Sequence, residues 1–401
     1  MARILLAWEI GGDYGHLMRF LTLARELARR GHEPVFVLRD LTHVETVMRG
    51  EPFTVFQAPI WIAKVGGLPQ PIGFAETLMR FGFLHPDALT SLCRGWRTLV
   101  STVEPGLVLF DYAPTALLAT RGLRVPRALY GETFASPPRT EPMPIYRWWR
   151  PEAPARILES ERLVLAGANE VLERFSAPPL RRLADLLETD DDILTASEEF
   201  DQYPGRMGAR YWGQVANLDH GVPPEWPLVG SKRIFAYVKF ASRDFDKLLA
   251  ALRTIDASVV VHAPGVSPKA VRTHTAANIT FSANPVRMAD VRRECHLAIC
   301  HAGASTSQIL VSAGKPVLLL PQHLEQMMTA KRVAALGAGL VADYEKPAPD
   351  YGRLLRRLLD EPSFTAAAQA VMDRHVGDDP AARVARILDR CKEPMMHAGL
   401  D

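Results

Sequence analysis

The sequence predicts an α/β protein built from two doubly wound, Rossmann-like parallel-sheet domains. Two runs of short apolar segments alternate with segments of helical periodicity, one before about residue 204 and one after about residue 230. Apolar runs of strand length between amphipathic helices read as buried parallel strands. Between the two runs the periodicity gives way to Gly, Pro and polar residues, including Pro223-Pro224 and Pro227, the composition of a linker. Each run also carries a conspicuous turn just past a strand, at 11–16 and at 301–306. Doubly wound sheets bind their ligands at such strand ends, and two such edges facing one another would make a cleft.

The first 40 residues predict a βαβ unit: a strand over 3–8, the loop Gly11-Gly12-Asp13-Tyr14-Gly15-His16, a helix, and a strand over 34–38. Leu17, Phe20, Leu21, Ala24, Leu27 and Ala28 recur at helical spacing and give that helix one apolar face, closed by Gly31. A helix over 42–49 and a strand over 54–58 follow. Residues 60–100 are rich in aromatics, which either line an apolar binding surface or fill the core. The run 107–110 is a buried strand ending in Asp111, 113–120 a helix, 127–130 a strand, and 151–200 helical with a break at Pro178-Pro179.

The second run predicts strands over 233–239, 258–262 and 279–282, with helices over 244–252 and 290–293. The tail is helical over 351–372 and 381–391. The expected domains are 1–215, 216–378, and a C-terminal helix and tail at 379–401 that packs back on the first domain.

The stretch 297–326 carries the most chemistry. Leu297-Ala298-Ile299-Cys300 predicts a buried strand, Gly303 a sharp turn open to a ligand, and Ser305 or Thr306 the cap or first turn of a helix that stops at Gly314. The free N–H groups and positive end of such a helix favour an anion the size of a diphosphate. His301, at the strand end, is expected to donate a ring N–H to a phosphate oxygen. A strand over 316–320 is stopped by Pro321, and Glu325-Gln326 on the next loop form a polar pair suited to sugar hydroxyls.

Composition narrows the class. The chain has 401 residues, 48% hydrophobic and 23% charged, with a net charge of +2. That balance gives no reason to expect a nucleic-acid partner. The four cysteines, at 93, 295, 300 and 391, have no metal-type spacing, which points to a reducing, cytoplasmic setting. Glu9, Asp13 and Arg19 interrupt the apolar N-terminus too early for a signal or a membrane span, although peripheral membrane contact stays open.

Together, Gly-x-x-x-Gly-His after the first strand and the His-x-Gly…Thr…Gly-x-Pro…Glu-Gln box resemble the GT-B glycosyltransferases. More narrowly, they are similar to the macrolide and UDP-glucuronosyl/UDP-glucosyl transferase group, over nearly the whole chain. The resemblance implies a GT-B fold and assigns roles residue by residue. His16 matches the general base that deprotonates the acceptor hydroxyl, and Asp111 the carboxylate that orients it. His301, Gly303, Ser305 and Thr306 match the diphosphate-binding turn. Glu325 and Gln326 match the pair that reads donor-sugar hydroxyls, and Lys239 falls where the family has a loop near the phosphates. Three positions depart from the pattern: Ser305 replaces Gly or Asn, Glu325 replaces Asp, and Ile309 stands where the acidic ribose ligand is expected.

The expected activity is an inverting glycosyl transfer that uses no metal and no cofactor. It moves a sugar from a UDP- or dTDP-linked donor to a hydroxyl on a small, rather apolar acceptor. The competing readings are a nucleotide-sugar epimerase or hydrolase, and a non-catalytic accessory protein that binds a nucleotide or a partner.

Overall fold

The computed structural model describes residues 1–12, 15–151, 154–377 and 379–397, with side chains as far as residue 393 in the last helix. Asp13 and Tyr14 of the expected loop lie outside the described residues. The same holds for Glu152, Ala153 and Asp378, and for residues 398–401 of the expected tail. The chain divides into two compact units. One comprises Met1–Ser197, Tyr203–Ala216 and Asp379–Asp401; the other comprises Glu198–Gln202 and Asn217–Asp378.

The first unit runs β1 (Arg3–Trp8), α1 (Gly15–Arg29), β2 (Glu33–Leu38), α2 (Val44–Val47), β3 (Thr54–Gln57), α3 (Phe74–Leu78) and α4 (Pro86–Val103). It continues with β4 (Leu107–Asp111), α5 (Pro114–Thr120), β5 (Arg127–Gly131), α6 (Pro154–Arg174) and β6 (Asp191–Leu194). Its strands form one sheet in the order β3-β2-β1-β4-β5-β6, each pair parallel. Successive side chains of a strand point to opposite faces, and here both faces are apolar. Leu5, Ala7, Val35, Val37, Val108 and Phe110 pack against α4, α5 and α6. Ile4, Leu6, Trp8, Phe36, Leu107 and Leu109 pack against α1. Fully burying each such side chain stabilises the fold by about 1.5–3 kcal/mol.

The second unit runs β7 (Lys232–Tyr237), α7 (Phe245–Arg253), β8 (Ala257–His262), α8 (Pro268–His274), β9 (Ile279–Ser282) and α9 (Met288–Glu294). After these come β10 (Leu297–Cys300), α10 (Ala304–Val311), β11 (Val317–Leu319), α11 (Leu324–Ala335), β12 (Gly339–Val341), α12 (Tyr351–Asp360) and α13 (Pro362–Arg374). The sheet order is β12-β11-β10-β7-β8-β9. Counted from its own first strand, this is the order of the first unit. In both sheets the direction of winding reverses between the first and fourth strands, β1/β4 and β7/β10, and ligands of doubly wound sheets bind at that point. This two-sheet architecture is the GT-B fold expected from the sequence.

The last helix, α14 (Pro380–His397), belongs to the first unit. Val384, Ile387, Leu388 and Cys391 join the core layer of α1, and Asp389 pairs with Arg30 at 2.6 Å.

Four local expectations change. The stretch 151–200 is not wholly helical, because Asp191–Leu194 pairs with β5 as an edge strand. The helix expected over 42–49 shrinks to the four residues of α2, none of them fully buried, with Val44 and Val47 packed against the edge of the core. α3, α4, α8, α11 and β12 add helices and a strand that were not expected, and α11 replaces the loop expected to carry Glu325-Gln326. The aromatics Phe74, Phe83 and Trp96 are core residues. Among the described residues no helix is long and apolar enough to cross a membrane.

Candidate active site

At the β1/β4 point of the first unit, Asp111 is the last residue of β4 and is completely buried. Its Oδ2 accepts from two side chains on α1, His16 Nδ1 at 2.9 Å and Arg19 Nη1 at 2.6 Å. His16 and Arg19 lie three residues apart, so they share one face of the helix. Arg19 extends its other arm to Glu132, just past β5, with Nη2 donating to Oε1 at 2.8 Å. Trp8 stacks on the His16 ring, with centroids 5.0 Å apart. At the Nε2 end of the ring, a Cβ at Gly11 would lie 2.4 Å from His16 Nε2. Gly11 has φ +99, so both its backbone and the imidazole require glycine there.

Charge follows from this packing. Burial pushes the Asp111 carboxyl up, but the neighbouring His16 and Arg19 outweigh it and hold Asp111 below the usual carboxylate range. Burial raises Glu132, partly offset by Arg19. Burial opposes the Arg19 charge too, yet Asp111 and Glu132 keep the guanidinium protonated. His16 Nδ1 is held by Asp111, and Nε2 makes no hydrogen bond among the described residues.

In the second unit, β10 leads into α10 through His301, Ala302 and Gly303. The left-handed residue is Ala302 (φ 58), whereas Gly303 has an ordinary φ of −60 and serves as the N-cap. The expectation that Gly303 makes the sharp turn is thus corrected by one residue. What Gly303 contributes is open space, since a Cβ there would meet nothing within 4 Å. The N-cap of α10, Gly303, has no side chain to accept from the helix, and Ala304 with the expected Ser305 and Thr306 makes its first turn, the end of a helix that favours an anion. The helix closes as expected at Gly314 (φ 74), where Gly314 N donates to Val311 O and Lys315 N to Leu310 O.

His301 is buried, and both ring nitrogens are engaged inside the unit. Nδ1 lies 3.1 Å from Leu320 O, and Nε2 accepts from the backbone N–H of Lys239. The expected ring donation to a phosphate is therefore corrected. With Nδ1 protonated against Leu320, the ring has no N–H to spare, and it ties the loop after β7 to the end of β10. Lys239 is placed at this edge by its backbone.

Glu325 and Gln326 open α11, with His323 as N-cap. Gln326 Oε1 accepts from Gln322 N at 2.8 Å, which fixes the amide and leaves its Nε2 to donate. Glu325 is half-buried in the same first turn. Ile309 is half-buried on α10 and offers no acceptor.

Sequence reasoning missed three charged residues. Arg19 falls between Leu17 and Phe20 on the buried face of α1; an arginine in such a stripe requires a buried counter-charge. Glu132 is that partner, but nothing local links them across 113 positions. Glu9 is the third. Buried just after β1, it accepts from Thr115 N at 2.8 Å and Ala116 N at 2.6 Å, filling the N-terminus of α5.

Comparison with known proteins bears on the fold and on the class of enzyme. Residues 246–391 match the family described as erythromycin biosynthesis protein CIII-like, C-terminal domain. A zeaxanthin glucosyltransferase from Pseudescherichia vulneris is 25% identical over 348 residues, covering 81% of this chain and 83% of that protein. By fold and by sequence similarity, the chain is a GT-B glycosyltransferase. A second relative of this glycosyltransferase comes from Rhodospirillum centenum: the UDP-N-acetylglucosamine–N-acetylmuramyl-(pentapeptide) pyrophosphoryl-undecaprenol N-acetylglucosamine transferase. It is 28% identical over 412 residues, covering 96% of this chain and 93% of the relative. Among solved structures, the glycosyltransferase VinC in complex with dTDP superposes with a TM-score of 0.67 at 17% identity, covering 98% of this chain and all of that one.

Proposed function

We propose that this glycosyltransferase moves a sugar from a nucleoside diphosphate donor, by preference dTDP-linked, to a hydroxyl of a small, rather apolar acceptor, with inversion and without a metal. The observation that carries the reading is His16, with Nδ1 held by the buried Asp111 and Nε2 left for a substrate. An alcohol is a weak nucleophile at neutral pH and needs such a base. Direct attack on the anomeric carbon from the face opposite the leaving group inverts that centre. The departing diphosphate gathers negative charge at the N-terminus of α10, where backbone N–H groups stabilise it. Gln326 Nε2 and Glu325 then read the sugar hydroxyls, and Lys239 and His301 shape the phosphate loop.

The preference for a deoxyribose donor rests on Ile309. Ribose recognition usually employs an acceptor for its hydroxyls, and an aliphatic side chain at that position suits a sugar lacking one of them. The complex of VinC with dTDP supports the same class of donor.

The test uses purified full-length protein with UDP- and dTDP-sugars and an acceptor panel, reading nucleoside diphosphate release and product anomer. The expected result is transfer with inversion and a preference for dTDP donors. His16→Ala should lower turnover by roughly 10²–10⁴-fold while leaving nucleotide binding intact. Unchanged turnover in His16→Ala would sink the assignment.

A further inference from the structure

We propose that Glu132 selects the acceptor by taking a hydrogen bond from a second hydroxyl or ammonium group beside the hydroxyl that His16 deprotonates, so that diols and amino alcohols are preferred over isolated alcohols. The inference rests on the reading of this edge as the acceptor site.

The four-residue cluster is sealed almost everywhere. The side chains of Asp111 and Arg19 are 0% and 5% exposed, whereas His16 and Glu132 keep 17% and 12%. Of the four, His16 and Glu132 are therefore the side chains that keep most surface for a substrate to reach. Arg19 pins Glu132 Oε1, and Oε2 makes no hydrogen bond among the described residues. It is an acceptor held in place, with no donor among the described residues. A carboxylate oxygen so fixed takes a strong hydrogen bond from a hydroxyl and a stronger one from an ammonium. A bare hydrocarbon placed there would leave the oxygen desolvated and unpaired, which is how a polar site rejects an apolar analogue. His16 also lies close enough for its charge to act on the Glu132 carboxyl.

The experiment compares matched acceptors that differ in one group next to the attacked hydroxyl: hydroxyl, amino, methoxy and hydrogen. The donor is held fixed, and kcat/KM is measured for each with the full-length enzyme. The wild type should favour the hydroxyl and amino members over the methoxy and hydrogen ones by about tenfold or more. The amino arm should gain most if Glu132 is ionised when the acceptor binds. Glu132→Gln keeps an oxygen for Arg19 and turns an N–H₂ outward, replacing an acceptor by a donor; the preference should collapse or reverse toward the methoxy member. Glu132→Asp, which keeps the charge with a shorter reach, serves as the second variant should the glutamine protein fold poorly, and should weaken the preference.

A uniform loss across all four acceptors, with the ratios unchanged, overturns the inference and leaves Glu132 as a support for Arg19. The base assignment fails separately: His16→Ala that still turns over overturns that reading, while the acceptor ratios of the Glu132 variants report on Glu132 alone.

Discussion

Asp111 in the first unit and His301 in the second stand at the same place in the same topology, yet the two edges are put to opposite uses. Asp111 is the last residue of β4 and His301 the first after β10, each of these strands lying beside the first strand of its sheet. Each residue is followed by a left-handed non-glycine residue, Tyr112 (φ 50) or Ala302 (φ 58), a conformation that costs roughly 1–3 kcal/mol. Each then passes through an N-cap, Ala113 or Gly303, into a helix, α5 or α10. The doubly wound topology has thus created the same helix-end anion site twice. In the first unit the loop after β1 sends Glu9 back onto the Thr115 and Ala116 N–H groups, so the protein's own carboxyl group occupies the site. In the second unit the loop after β7 contributes a backbone N–H to His301, and the N-cap Gly303 has no side chain of its own. Topology supplies the helix end, and on the proposed reading one carboxyl group decides whether a ligand's phosphate can have it.

The largest expected effect falls on the filled edge. Asp111→Asn presents an amide N–H₂ where the carboxylate accepted from both His16 and Arg19, and it strands the guanidinium against one remaining carboxylate. Turnover should fall by about 10²–10⁴-fold with nucleotide affinity unchanged, measured by steady-state kinetics beside a nucleotide-binding isotherm. Loss of nucleotide binding in this variant would mean that the two edges do not divide the work.

Gly303→Asp comes next and would make the open edge resemble the filled one. The backbone there has φ −60 and ψ 133, which any residue adopts, and a Cβ meets nothing within 4 Å. Asp is a good N-cap, so the melting temperature should hold or rise slightly. Affinity for dTDP or UDP should drop by tenfold or more, because a like charge a few ångströms away at a partly exposed site costs on the order of 1.4 kcal/mol or more. Isothermal titration distinguishes the outcomes, and undiminished affinity would place the diphosphate elsewhere.

Gly131→Ala tests how tightly the filled edge is packed. Gly131 has φ +151, and a Cβ there would lie 2.6 Å from Asp111 Oδ1 and 3.4 Å from Arg19 Nη1. Strain together with overpacking should cost about 1–3 kcal/mol, read as a lower denaturant midpoint with an unchanged m-value. Activity should fall alongside, since Asp111 must shift to relieve the contact.

How much of this was legible in the sequence depended on distance along the chain. The strands at 3–8, 107–111 and 297–300 announced themselves as apolar runs. His16 and Gly314 had local signatures, in a Gly-rich turn and a helix stop. The short edge elements were not legible. Asp191–Leu194 opens on two acids, and Gly339–Val341 has three residues, so neither shows a period. Partners far apart were also hidden. Arg19 finds Asp111 and Glu132 at separations of 92 and 113 residues, and Glu9 finds its helix 106 residues away. The left-handed turn misled for another reason. Gly303 looked like its source, but tertiary packing holds Ala302 there instead, with no exposed surface.

The smallest effect concerns the residue that separates the two edges. Burial lifts the Glu9 carboxyl to about 8 from an ordinary 4.5, against the pull of the two N–H groups that it accepts from. A group whose folded pKa is raised binds more protons in the native state than in the unfolded chain between those two values. Its contribution is therefore complete below pH 4.5 and is lost as pH rises through about 8. The denaturant midpoint of the wild type should decline across that window. Glu9→Gln cannot ionise, so its midpoint should decline less. It should start lower at acid pH, because an amide offers one acceptor where two N–H groups converge, at a cost of roughly 1–3 kcal/mol. The two curves should draw together toward pH 8 and above. Parallel curves would show that Glu9 stays ionised throughout, in which case the helix end outweighs burial, and the first unit holds its internal anion as firmly as the second would hold a phosphate.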